Sequence, residues 1–132
     1  MKLKTFTMGG VHPPENKLSA GEKIRDLSLP ETVVIPVSQH LGAPSKVIVE
    51  RGEQVKTGQL IARAEGFVST NIHASVSGKV TKVDVFPDPS GYRRLAVQIK
   101  VDGDEWVETI DRSDTLVEEI TLEAEEIRKR IL

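Results

Sequence analysis

The clearest periodicity in the chain lies between Tyr92 and Val101, where Leu95, Val97, Ile99 and Val101 alternate with Arg94, Ala96, Gln98 and Lys100. A repeat of two places the first set on one face and the second on the other, so the stretch predicts a half-buried strand. Lys79 to Phe86 predicts a second strand with Val83 and Val85 on one face. Val80 falls one register out of step with them, which predicts a bulge or a strong local twist. Thr32-Val33-Val34-Ile35-Pro36-Val37 is rich in β-branched residues and runs into a proline that cannot donate to a ladder. Val47-Ile48-Val49 and the stretch starting at Leu60-Ile61 add shorter strands. Gly52 and Gly58 punctuate turns that need positive φ, and Pro87-Asp88-Pro89-Ser90-Gly91 makes another. Short strands separated by frequent turns predict an all-β unit.

The two ends of the chain read differently. Residues 1–30 are dense in Gly, Pro and polar positions, with Gly9-Gly10, His12-Pro13-Pro14 and Ser19-Ala20-Gly21 as breakers. They predict an extended segment, and Phe6, Met8, Val11, Leu18, Ile24 and Leu27 offer apolar side chains to dock it on the domain. The β unit is expected over 31–110, followed over 111–132 by a linker and the start of a helix. From Thr121, acidic Glu123, Glu125 and Glu126 precede basic Arg128, Lys129 and Arg130, which suits the helix dipole. Ala124, Ile127 and Ile131 share one side. The pattern reaches Leu132 without a Gly or Asn cap, so a continuation into a further domain is expected.

Composition narrows the function. The 132 residues carry 18 Lys and Arg against 20 Asp and Glu, a net charge of -2, with aromatics at 4%. Without a basic block or interleaved aromatic platforms, nucleic acid is not an expected partner. There is no cysteine, which excludes disulfides, thiolate nucleophiles and the usual ligands of iron-sulfur clusters. The longest aliphatic run, Val33-Val34-Ile35, meets Pro36 far short of the roughly 20 apolar residues of a bilayer-spanning helix, so no membrane span is expected.

Candidate chemistry is sparse. His12, His40 and His73 are the only side chains with ordinary titration near neutrality, but their spacing contains no His-x-His or His-x-x-x-His pair of the kind that ligates zinc. Ser38, Ser69, Ser75 and Ser77 lack a Gly-x-Ser-x-Gly elbow. Gly9-Gly10 and Gly42-Ala43-Pro44 match no phosphate-cradling pattern and read as turns. Asp102 and Asp104 flank an evident turn and read as solvated acids. No catalytic, cofactor-binding or metal-binding residue is assigned.

One stretch carries a family resemblance. Gly52-Glu53-Gln54-Val55-Lys56-Thr57-Gly58-Gln59-Leu60-Ile61-Ala62, followed by Ala74-Ser75-Val76-Ser77-Gly78-Lys79-Val80, resembles the lipoyl and biotinyl carrier family. In that family two such blocks frame a hairpin whose tip holds a modified lysine. The resemblance implies a mainly β, barrel-sandwich hybrid fold built from two imperfectly symmetric halves, the second interrupted by the Pro87 to Gly91 insertion. Counting back from Ala74 places the tip at Phe67, and Ala62 to Ser77 contains no lysine. Phe67 has two readings: a contact for another domain, or a side chain folded back into its own core. A stand-alone carrier remains one alternative. A sugar-phosphotransferase IIA-type phosphocarrier remains another, with His73 as the candidate nucleophile.

A second resemblance covers most of Thr5 to Trp106. Thr5-Phe6-Thr7-Met8-Gly9-Gly10-Val11-His12-Pro13-Pro14-Glu15-Asn16-Lys17, Val34-Ile35-Pro36-Val37-Ser38-Gln39-His40-Leu41-Gly42-Ala43-Pro44, the Gly52 block and Asn71-Ile72-His73-Ala74-Ser75-Val76-Ser77-Gly78-Lys79-Val80 resemble, in that order, the N-terminal part of RnfC. That family is the peripheral subunit of the Rnf complex. The resemblance implies electron transfer between ferredoxin and NAD, coupled by the whole complex to ion translocation, on the cytoplasmic side of the inner membrane. It implies FMN, NADH and two 4Fe-4S clusters in the parent protein, none in this fragment. It also implies, as partners, the other domains of the same polypeptide and the other subunits of the complex.

Overall fold

A computed structural model of the chain describes residues 10, 13–88 and 90–131. Seven strands precede one helix: β1 Thr32–Pro36, β2 Lys46–Val47, β3 Gln54–Val55, β4 Leu60–Arg63, β5 Ile72–His73, β6 Ser77–Pro87, β7 Arg93–Gly103 and α1 Ala124–Ile131. They form a four-stranded sheet in the order β1-β7-β6-β3 and a three-stranded sheet in the order β2-β4-β5. Every pairing between these strands is antiparallel. The architecture is the mainly β, barrel-sandwich arrangement expected from the sequence.

The core lies between the sheets and is aliphatic throughout. Ile35 comes from β1, Val55 from β3, Ile61 and Ala62 from β4, Ile72 from β5, Val80 from β6, and Val97 and Ile99 from β7, with Val37, Val49, Ala74 and Val76 added from connections. Ile61, Ile99, Val37, Val55, Val80 and Val97 are each less than 2% exposed. Burying side chains of this size contributes about 1.5–3 kcal/mol apiece, offsetting much of the backbone entropy lost on ordering.

Alternation sets the long hairpin. Val97 and Ile99 face the core, opposite Val83 and Val80 of β6 and Ile35 and Val33 of β1. The expected irregularity at Val80 is present: pairing steps from Val80↔Ile99 to Lys82↔Gln98, leaving Thr81 as the extra residue. Its hydroxyl donates to the Gln98 carbonyl at 3.2 Å. Two details depart from the sequence reading. Ala96, placed with the polar positions, is buried at 1% exposure, while Leu95 and Val85 on the apolar face are exposed. Leu95 and Val85 pair with each other near the hairpin end, and Ala96 lies between Pro36 and Asp84 in adjacent strands, whose larger side chains shelter a methyl group. A second irregularity, between Leu60 and Ala62, turns both Ile61 and Ala62 inward.

Two matching turns lock the halves together. In Glu50-Arg51-Gly52-Glu53 the backbone N–H of Glu53 donates to the Glu50 carbonyl and the Glu53 carboxylate accepts from the N–H of Glu50. Six residues later, Lys56-Thr57-Gly58-Gln59 repeats the device with the Gln59 side chain. Gly52 and Gly58, both third in their turns, have φ of 96° and 84°, a region costly for residues with a Cβ. Each turn then reaches across to the second half. Gly52 N–H donates to Val80 O and Val80 N–H to Glu53 O, while Gly58 N–H donates to Ala74 O and Ala74 N–H to Gln59 O. Beyond β7 the chain crosses the second turn, with Thr57 N–H bonded to Glu105 O and Val107 N–H to Thr57 O.

The ends are less embedded. Leu18, Ile24 and Leu27, expected to dock the N-terminal segment, are each at least 90% exposed, which corrects that expectation for the described part. The domain core is closed by residues of its own strands and their connections, and these three side chains add nothing to it. Phe6, Met8, Val11 and His12 lie outside the described residues, as do Pro89 and Leu132. The helix starts at Ala124 rather than Thr121, with the Glu123 carbonyl taking the first intrahelical bonds, from Glu126 and Ile127. No helix among the described residues is long and apolar enough to cross a membrane.

Gly78 sits where a Cβ would collide with the carbonyl oxygen of Lys100, whereas a Cβ on Gly52 meets no atom within 4 Å. Gly52→Ala is therefore expected to cost about 1–2 kcal/mol from backbone conformation alone. Gly78→Ala should cost about 3 kcal/mol or more, because the obstacle is backbone that cannot rotate away. Urea unfolding of the two variants checks the order, and equal losses would contradict the β6–β7 register. The Thr57 hydroxyl is buried without a hydrogen-bond partner, so Thr57→Val should leave the melting temperature unchanged or raise it.

Candidate functional site

The connection between β4 and β5 occupies the position at which a carrier hairpin presents its lysine. It runs from Ala64 to Asn71 with Phe67 near its middle, and the Phe67 side chain is 104% exposed. The reading in which this ring folds back into its own core is thereby excluded. The turn is held from inside by side chains: Asn71 Oδ1 accepts the Ala64 N–H at 2.9 Å, Ser69 Oγ accepts the Glu65 N–H at 3.1 Å, and Ser45 Oγ donates to Thr70 O at 2.6 Å.

The loop after β1 is bonded to this tip. Ala43 N–H donates to Val68 O at 3.0 Å, and Gly42 approaches the same carbonyl so closely that a Cβ there would overlap its oxygen. The Ala43 carbonyl accepts in return from Ser69 Oγ at 3.0 Å and lies 2.9 Å from His40 Nε2. A carbonyl can only accept, so Nε2 carries the proton and Nδ1 has the lone pair. That Nδ1 is buried and has no partner. The sequence identified His40 and the Gly42-Ala43-Pro44 turn separately. Nothing local in the sequence showed that Val68 and Ser69, some 25 positions away, complete their bonding. Gln39 closes the loop from the other side through Nε2 to Pro36 O at 2.9 Å.

On the far side, the loop meets the β6–β7 turn. Asp88 Oδ1 accepts from the N–H groups of Ser90 and Tyr92 at 2.9 and 3.0 Å, Asp88 Oδ2 accepts from Arg94 Nε at 2.6 Å, and Arg94 Nη1 donates to Ser38 Oγ at 3.2 Å. Desolvation pushes the Asp88 carboxyl up, but the Arg94, Tyr92 and Ser90 donors outweigh it and hold the group below its ordinary value of 3.8. This carboxylate is fully used as a turn brace.

Against the candidate chemistries, the arrangement is restrictive. His73 is exposed on β5 opposite Leu60, while the His40 ring is engaged with Ala43 and Ser69. The two do not form the facing pair a phosphocarrier needs, and His12 lies outside the described residues. No group of three or more His, Cys, Asp or Glu side chains that could hold a metal is found among the described residues. The cofactors implied by the resemblance do not fit this chain: clusters need thiolates, and it has no cysteine. A flavin or nucleotide phosphate needs an open glycine cradle, and Gly42 is filled by Val68.

Comparison with known proteins matches residues 4–104 to the RnfC barrel sandwich hybrid domain. The RnfC protein of the proton-translocating ferredoxin:NAD(+) oxidoreductase complex of Clostridium ljungdahlii is 48% identical over 113 residues, covering 84% of this chain and 24% of that protein. Its counterpart in the Na(+)-translocating complex of Acetobacterium woodii is 42% identical, covering 100% of this chain and 29% of that protein. The counterpart in the ion-translocating oxidoreductase complex of Rhodobacter capsulatus is 40% identical over 109 residues, covering 79% of this chain and 21% of that protein. The chain spans about a quarter of the length of these curated relatives.

The Asp88 brace has a defined acid dependence. A carboxyl lowered in the folded state adds stability that is fully present above its unfolded value, near 3.8, and is lost as the pH falls through the lower folded value. An NMR titration of the Asp88 carboxyl should give a midpoint below 3.8, and Arg94→Ala should raise that midpoint.

Proposed function

The chain belongs to the RnfC barrel sandwich hybrid domain family, and on that premise we propose that it is the non-catalytic N-terminal domain of an RnfC protein. The parent complex transfers electrons between ferredoxin and NAD and couples the transfer to ion translocation. In this reading the domain docks other parts of its own polypeptide and other subunits, as a peripheral component on the cytoplasmic side of the membrane. FMN, NADH and the two 4Fe-4S clusters belong to the remainder of the parent protein.

The observation that carries the reading is the carrier-type tip without a carrier's chemistry. A hairpin framed by the Gly58 turn and the Ala74 segment presents Phe67 where a lysine would be modified, and its flanks from Ala62 to Ser77 offer no substitute. An exposed aromatic ring in that position suits burial against protein, where it would contribute about 1.5–3 kcal/mol. The relatives' names support the complex. They name different ions, protons in one and Na(+) in the other, and the coupling ion is not assigned for this chain.

The reading is tested by deleting residues 1–132 from the full-length RnfC protein. The shortened protein should keep its flavin and iron content while its incorporation into the membrane complex falls at least about tenfold. The 132-residue chain alone should be colourless and gain no mass when produced with lipoyl or biotin ligases. Normal assembly of the shortened protein, or a mass increase, would overturn the proposal.

A further inference from the structure

The end of the domain around Phe67 combines exposure with unusual fixation. Leu41, Phe67 and Val68 are 89%, 104% and 54% exposed, on two loops that are bonded to each other. Ala43 N–H reaches Val68 O, Ser69 Oγ and His40 Nε2 both meet Ala43 O, and Gly42 lies against the Val68 carbonyl. Ordering loops of this kind costs conformational entropy, and water gives no return for holding large apolar side chains in it. Such an arrangement is what a preformed contact surface requires, since fixed anchors lose little further entropy on binding.

We infer that Leu41, Phe67 and Val68 form a preorganised docking surface for an apolar patch elsewhere in the same polypeptide, and that His40 is the positioning residue that fixes Leu41 beside the tip. This rests on the proposed function as a domain of an RnfC protein. Three observations favour that occupant. The relatives are roughly fourfold longer than the matched region, so most of such a protein lies outside it. Three side chains provide far less than the roughly 800 Å² per partner of a stable free complex, but a tethered partner at high effective concentration can use a small surface. The residues from Ala62 to Ser77 carry one Arg, Arg63, and one acid, Glu65, which is not the basic cluster that attracts an anionic bilayer.

His40 contributes through one nitrogen. Its Nε2 supplies the bond to Ala43, while Nδ1 has no partner. A glutamine amide can place a donor near the Nε2 position, and leucine cannot.

Hydrogen exchange on the full-length RnfC protein and on the 132-residue chain tests the inference. Amides of residues 38–44 and 64–71 should exchange about tenfold or more slowly in the full-length protein. Leu41→Ser and Phe67→Ser should each remove that protection while leaving the melting temperature of the 132-residue chain unchanged. His40→Leu should remove the protection and His40→Gln should restore most of it. Equal exchange in the two proteins would overturn the inference. So would self-association of the 132-residue chain that Phe67→Ser abolishes, which would assign the surface to a second copy. Phe67-dependent sedimentation with vesicles of phosphatidylglycerol and phosphatidylethanolamine would overturn it too, assigning the surface to the membrane. If deletion of residues 1–132 blocks assembly and exchange is nevertheless equal, only the docking surface fails. If deletion leaves assembly intact, the functional reading fails with it.

Discussion

The structure depends on the place where Val80 is held from three directions. Its carbonyl accepts from Gly52 and its N–H donates to Glu53, its neighbour in β7 is Ile99, and its side chain is 1% exposed in the core. One residue thus joins the first turn to the long hairpin and both to the aliphatic interior. Two positions earlier, Gly78 lets the backbones of β6 and β7 approach without a side chain between them. The second half of the motif closes the same way at Ala74, on the Gly58 turn. These exchanges join the Gly52 and Ala74 blocks into a single core, since neither includes enough apolar surface to fold alone.

Much of this was legible in the sequence where it arises from local chemistry. The alternation from Leu95 to Val101, the slipped register at Val80 and the two glycine turns are consequences of side-chain period and positive φ, which the residues themselves encode. What was not legible depends on residues far apart in the chain. Ala96 is buried because of what lies beside it in adjacent strands, and both Ile61 and Ala62 face inward because the ladder slips opposite β5. The exposure of Leu18, Ile24 and Leu27 could not be read from their apolar character, because docking depends on whether the core leaves a face open. At the candidate site, Phe67 was identified by counting, but His40, Leu41, Val68 and Ser69 were not seen as one assembly. Their association is made by main-chain carbonyls, which leave no trace in side-chain identity.

The tip also shows how a shared scaffold separates from its chemistry. A carrier needs a reactive amine on a hairpin free to present it to several sites. Here the corresponding turn carries an aromatic ring and is stitched by Ser69, Asn71 and Ser45 to itself and to the loop beside it. A group that must travel benefits from freedom, and a group that must be met benefits from being fixed. The residues that differ between those demands are the tip and its supports, while the Gly52, Gly58 and Gly78 framework serves both.

The β6–β7 hairpin sets a length as well as a register. Between Arg94, which touches the loop after β1 through Ser38, and Gly103, where the chain leaves the sheet, the strand advances about 30 Å at the usual rise per residue. Its continuous antiparallel ladder resists bending along that axis. The domain therefore works as a spacer of fixed span, keeping whatever meets its Phe67 end a set distance from the segment that departs past Trp106.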